Sequence, residues 1–185
     1  MKKVILNLAV TLDGFIEGIN GEVDWCIMDD DMNFDNFLES VDTIFYGRVS
    51  YAAWGNYQPD DHASPAERTI WKAIHAKSKY VFSSQNTQSE QAVFITADIS
   101  NKVAEIKQQG GKDIWLYGGA KLIRAFIQLG LIDIYRISVH PVVLGAGKPL
   151  FEELRERIEM KLIDTNVFKS GVVELMYSTR KMTNY

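Results

Sequence analysis

Two hydrophobic rhythms alternate along the chain. Val4 to Thr11 is a nearly unbroken apolar run, the pattern of a strand buried on both faces of a parallel sheet. A loop rich in turn residues follows, with Asp13-Gly14, Gly18 and Asn20-Gly21. Phe34, Phe37, Leu38 and Val41 then recur at helical spacing, with Asp31 or Asn33 as the N-cap. Thr43 to Tyr46 is a second buried strand ended by Gly47-Arg48, and Ser50 to Trp54 a brief helical segment. Ser64-Pro65-Ala66-Glu67 places a serine cap, a proline at the first helical position and a glutamate at the third. A helix to about Lys77 follows. Tyr80 to Phe82 and Val93 to Thr96 read as two more strands, and Val103 with Ile106 marks a helix stopping at Gly110-Gly111.

The stretch Ile114 to Ile123 changes rhythm in its middle. A strand-like run breaks at Gly118-Gly119, after which Leu122, Ile123, Phe126, Ile127 and Leu129 recur at helical intervals, with Gly130 at the cap. A helix starting at glycines turns its first N–H groups and positive dipole end outward, a setting for a phosphate. Downstream, Asp133 to Val143 reads as a long strand interrupted at His140-Pro141, which argues for a bulge or an edge position. After the Gly145 to Pro149 loop, Leu150-Phe151 is expected in the core. Lys161 to Phe168 and Val172 to Arg180, around Lys169-Ser170-Gly171, form a hairpin. The predicted fold is α/β: a three-layer α/β/α arrangement with a mainly parallel central sheet and a C-terminal antiparallel hairpin, in one domain over 1–185.

Composition narrows the function. The 185 residues are 46% hydrophobic, 24% charged and 11% aromatic, an ordinary globular balance. A net charge of −4, with no basic and aromatic cluster, disfavours nucleic acid as a partner. No run of apolar residues is long enough to span a membrane and no cleavage site follows the first strand, so a cytoplasmic protein is expected. Cys26 stands alone and can build neither a disulfide nor a zinc site, so no metal is expected.

Three strands end in small or cationic residues: Tyr46 into Gly47-Arg48, Phe82 into Ser83-Ser84, and Tyr117 into Gly118-Gly119. Ligands of open α/β sheets sit at such carboxyl ends. Arg48 offers a fork of donors, Ser50, Ser83 and Ser84 offer hydroxyls, and the glycines offer backbone N–H groups. Together they suggest a dinucleotide, and an arginine with serines suits the extra 2′-phosphate of NADP.

The same residues carry a resemblance. Asn7 to Gly14 ending in Leu12-Asp13-Gly14, Gly47-Arg48-Val49-Ser50-Tyr51, Tyr80 to Ser84, Tyr117 to Leu122, and Pro141 to Phe151 occur in the order of the dihydrofolate reductase-like superfamily. Within it the chain resembles the reductase domain at the C-terminus of the bacterial bifunctional riboflavin-biosynthesis deaminase-reductase. The resemblance implies an NADPH-dependent reductase passing hydride to a small heteroaromatic or carbonyl substrate, such as a pterin or an aminopyrimidine ribityl phosphate. It also implies a homodimer. Gly47, Arg48, Ser50, Ser83 and Ser84 match the segments holding the adenosine-side phosphate. Gly118, Gly119, Ala120, Lys121 and Leu122 match the pyrophosphate turn, and Ala9 and Val10 the segment against the nicotinamide. Asp13 and Gly14 match residues near the substrate. Trp25, Trp54 and Tyr46 are candidate walls for a flat ring, and Asp30 or Asp31 the proton donor, a carboxylate in an apolar pocket. The zinc deaminase signature cannot be built from Cys26, His62, His75 and His140, so the chain reads as a reductase-like domain standing alone. The missing deaminase and the ambiguous acid leave a second reading, a non-catalytic nucleotide-binding or regulatory module.

Overall fold

The cap signal at Ser64 shows how locally parts of this fold are written. In a computed structural model describing residues 1–85, 89–154 and 156–179, the side chain of Asp30 excepted, Ser64 Oγ accepts the Glu67 N–H at 3.1 Å. In chain order the elements are β1 (Val4–Thr11), β2 (Phe15–Glu17), α1 (Phe34–Ser40), β3 (Val41–Gly47), the short α2 (Arg48–Ser50), α3 (Pro65–His75), β4 (Ser78–Phe82) and β5 (Val93–Ile95). They continue with α4 (Ile99–Gln108), β6 (Asp113–Gly118), α5 (Ala120–Gln128), β7 (Ile134–His140), β8 (Lys148–Pro149), β9 (Met160–Val167) and β10 (Val173–Thr179). A single 3-10 turn covers Asp30–Met32, and a π-type turn, Tyr51–Gly55, prolongs α2. Mostly parallel strands flanked by helices, with an antiparallel C-terminal hairpin, make this the predicted α/β fold.

Contacts divide the chain into two compact units, Met1–Lys3 with Asn33–Leu122, and Val4–Met32 with Ile123 onward. In the first, β5, β4, β3 and β6 lie side by side in that order, all parallel. Ile44, Phe45, Val81, Val103, Ile114 and Leu116 are inaccessible there, and each such side chain contributes about 1.5–3 kcal/mol by burial. Lys2 closes its floor, giving Nζ to Asp42 at 2.5 Å and to Thr43 at 3.0 Å. Val41 opens β3 rather than closing α1, because its backbone is already extended at φ −121°, ψ 146°. Asn33 takes the cap position of α1 in a left-handed conformation, without a side-chain cap bond.

The second unit orders β1, β7, β10 and β9. Only β1 and β7 are parallel, and β10 runs antiparallel to both of its neighbours. Val4, Leu6, Phe126, Ile132, Tyr135 and Val172 form its core. The expectation at Pro141 is corrected here. β7 lies between β1 and β10, not at an edge, and it stops at His140 because proline has no N–H to continue the ladder. A two-stranded sheet that the sequence did not reveal pairs β2 with β8, reinforced by a Lys148–Glu17 ion pair. Leu150 is buried as expected, whereas Phe151 is 46% exposed.

Candidate active site

The three strand ends singled out by the sequence are neighbours in the first unit. Gly47 pairs with Phe82, and Tyr46 with Gly118, so Arg48-Val49-Ser50 leaves the sheet between Ser83-Ser84 and Gly118-Gly119. The strands are parallel, so all three carboxyl ends face the same way. The approach is tight. A Cβ on Gly47 would lie 3.3 Å from the Gly119 nitrogen and 3.4 Å from the Gly118 oxygen, and one on Gly119 would lie 3.0 Å from Ser50 Oγ. Gly118, joined to Gly119 by a cis peptide bond, has φ 115°, a conformation that side chains rarely adopt.

The donors around this cradle differ in how far they are already committed. Arg48 is exposed and has no charge partner among the described residues. Ser83 Oγ accepts the Gln85 N–H at 3.0 Å, which leaves its hydroxyl proton to donate, and Ser84 is exposed. At the start of α5 the first N–H groups lack intrahelical acceptors. Leu122 is different: its N–H goes to the Gly119 carbonyl at 2.9 Å and its side chain is buried beside Gly47, so it enters the cradle as packing. Lys121 is exposed. The tight backbone approach at Gly47 and Gly119 sets a guanidinium, serine hydroxyls and backbone N–H groups near one another, a donor set that suits phosphate oxygens.

Tyr46, expected as a wall for a flat substrate, has no accessible surface. Its ring packs 4.9 Å from Tyr117 and 5.8 Å from Tyr51, and its hydroxyl has no hydrogen-bond partner among the described residues. Burial pushes its phenol well above the ordinary range, and pushes Tyr117 to about 12. The Tyr51 hydroxyl is likewise buried and without a partner among the described residues, a feature no local sequence signal announces.

In the second unit, Asp13-Gly14 is a latch. Asp13 Oδ1 accepts from Thr11 Oγ1 at 2.6 Å and the Leu144 N–H at 3.3 Å, and Oδ2 accepts from the Gly145 N–H at 2.7 Å. The Thr11 hydroxyl, with the two N–H groups, holds this carboxyl below its ordinary value. Gly14, at φ 86°, donates to the Thr11 carbonyl and accepts from the Leu150 N–H, both at 2.9 Å. Close by, His140 is almost wholly buried, and its Nδ1 accepts the Ile27 N–H at 3.2 Å. Trp25 is half-buried and sets its ring edge-on to His140, with centroids 5.4 Å apart.

Comparison with known proteins agrees with this fold. The family described as the RibD C-terminal domain matches residues 2–174. The chain belongs to that family. The uncharacterized protein YyaP of Bacillus subtilis (strain 168) is 56% identical over 177 residues, covering 95% of this chain and 94% of its own. The crystal structure of a Shewanella sp. PV-4 protein named for riboflavin biosynthesis superposes with a TM-score of 0.78 at 23% identity, over 98% of this chain and 100% of that one. Dihydrofolate reductase from Enterococcus faecalis, solved with NADP(H), shares the fold at a TM-score of 0.66 and 13% identity, over 97% of each chain. This RibD C-terminal domain therefore has the fold of reductases.

Within this RibD C-terminal domain, Ala9 and Val10 stand at the carboxyl end of β1, paired with Ser138 and Val139. Val10 is buried and Ala9 partly open. Of the two acids expected as proton donor, Asp31 is exposed on its 3-10 turn, and the Asp30 side chain lies outside the described residues. Trp54, also read as a ring wall, stacks in the first unit on Trp71.

Proposed function

We propose that this protein is an NADPH-dependent reductase that passes hydride to a small heteroaromatic or carbonyl substrate, in the manner of 5-amino-6-(5-phosphoribosylamino)uracil reductase and dihydrofolate reductase. The observation that carries the reading is the close approach of Gly47, Ser50 and Gly119, which brings Arg48 beside the glycine turn. In this reading Arg48, Ser50, Ser83 and Ser84 hold the 2′-phosphate end, with the guanidinium supplying a fixed fork of donors. Gly118, Gly119, Ala120 and Lys121 hold the pyrophosphate, through N–H groups at the start of α5 and the Lys121 ammonium. In the second unit, Ala9 and Val10 keep the nicotinamide-side role and Trp25 the ring-wall role that the sequence reading gives them. NADPH, when bound, supplies the hydride, and the protein's share is to orient and to exclude water. The reading is supported by the NADP(H) seen in a dihydrofolate reductase of this fold.

An NADPH titration tests it. Binding should be saturable, and Arg48→Ala should weaken it by about thirtyfold, the loss of a charge-assisted contact worth ~2 kcal/mol. No binding at millimolar NADPH, or equal affinity in the variant, overturns the reading. A binding-only module is the second reading, favoured by the exposure of Asp31 and the commitment of both Asp13 oxygens. Substrate-dependent loss of NADPH absorbance in a panel of pterins, pyrimidines and carbonyl compounds rules that version out.

A further inference from the structure

A groove of about 830 Å³ opens on the first unit along α3, and it shares no lining residue with the strand-end cradle. Its charged lining is cationic. Arg68, Lys72, Lys77 and Lys79 face it, and among the described residues no carboxylate does, in a chain whose net charge is −4. Three of these cations are positioned by neutral acceptors. Arg68 donates to the carbonyls of Ala63 at 3.3 Å and Asp60 at 2.8 Å. Lys77 donates to Leu38 and Val41 at 2.6 and 2.8 Å, and Lys79 to His75 at 3.2 Å. Carbonyls fix such groups in place without cancelling their charge. Desolvation lowers the pKa of both Lys77 and Lys79, with Lys112 adding repulsion and Asp42 opposing it at Lys77. The Asp42 carboxylate is itself taken by Lys2 Nζ and the Lys112 N–H.

The groove also has a rigid flat wall. The Trp71 indole is half-buried, stacked within 12° of parallel on Trp54, and packed 4.7 Å from Tyr57. His75 flanks it and gives Nε2–H to the Tyr57 carbonyl at 2.6 Å, so both rings are immobilised before any ligand arrives. Asn56, Gln58 and Gln91 add amides, which both donate and accept and so suit the polar edge of a heterocycle. The volume falls within the roughly 300–1,000 Å³ of small-molecule sites.

We infer that this groove is a second binding site, for a phosphorylated heteroaromatic small molecule of the mononucleotide class, with the ring against Trp71 and the phosphate toward Lys72 and Lys79. ADP is the probe, added to the full chain with and without NADPH and followed by NMR of the N–H groups. Signals of Gln58, Trp71 and Lys72 should shift saturably under both conditions. Lys72→Glu should weaken ADP binding by about tenfold, as expected for reversing an exposed charge-assisted contact, without changing NADPH affinity. Lys72→Arg should bind like the parent. Absent shifts, shifts confined to residues 47–50 and 118–121, displacement of ADP from Trp71 by NADPH, or a response to single-stranded oligonucleotide alone would each overturn the proposal.

Discussion

Two loops of this molecule look equally polar in sequence and are opposite in structure. At the strand ends of the first unit, Arg48 is exposed without a charge partner among the described residues, and Ser83 keeps a proton to donate. In the second unit, both oxygens of Asp13 are engaged by Thr11, Leu144 and Gly145. Folding has drawn the side chain of one loop into intrachain hydrogen bonds and left the donors of the other available. A polar group already satisfied within the chain contributes to stability, whereas one held in place but not consumed can serve a ligand.

The largest effect should come from wedging apart the glycine approach at the cradle. In Gly47→Val the added atoms meet the Gly118 and Gly119 backbone, which cannot swing away as a side chain would. The position has φ −75°, which valine accepts, so the sheet should survive. NADPH binding in a fluorescence titration should fall below detection while the far-UV circular dichroism stays that of the parent. A variant that binds normally would make this glycine approach a packing detail and erase the contrast between the loops.

The reverse result is expected at the latch. Asp13→Ala should lower the melting temperature by a few degrees at neutral pH, since it leaves two N–H groups and a hydroxyl without their shared acceptor. Because the folded carboxyl is held below its ordinary value of 3.8, its stabilisation is complete above that pH and fades as pH falls through the folded value. The difference from the parent should accordingly close in strong acid. Equal melting temperatures at pH 7 would show the latch to be idle.

The contrast was only half visible in the amino-acid sequence, for a physical reason. The Ser64 cap, the glycine turn into α5 and the Gly130 cap at φ 62° depend on residues within a few positions, and all stand where the sequence placed them. The strand ends were also legible, because parallel order follows from strands alternating with helices. The latch was not, since its two backbone donors, Leu144 and Gly145, lie about 130 positions from Asp13 in the chain. The β2–β8 pair rests on equally distant contacts and on strands too short to show a period. The acids are ambiguous for a related reason: three adjacent aspartates mark a helix approach equally well whether the chain encloses them or leaves them exposed, and Asp31 is exposed.

His140 gives the smallest and most exacting test of the committed side of the comparison. Its Nδ1, like the Asp13 carboxylate, is an acceptor already in use, here by the Ile27 N–H. Burial holds the imidazole pKa below 6.5, with Asp29 opposing the shift, so the folded state favours the neutral ring. The stabilisation is then complete above pH 6.5 and lost progressively as pH drops below it, because the unfolded chain takes up the proton first. One such group changes stability by no more than about 1.4 kcal/mol per pH unit. His140→Asn keeps an acceptor near Nδ1 and removes the titration. Its stability in urea should therefore lose less than the parent's between pH 6.5 and 5. Parallel curves would mean that the imidazole is not committed in the way Asp13 is, and the second unit would then contain an uncommitted polar group of its own.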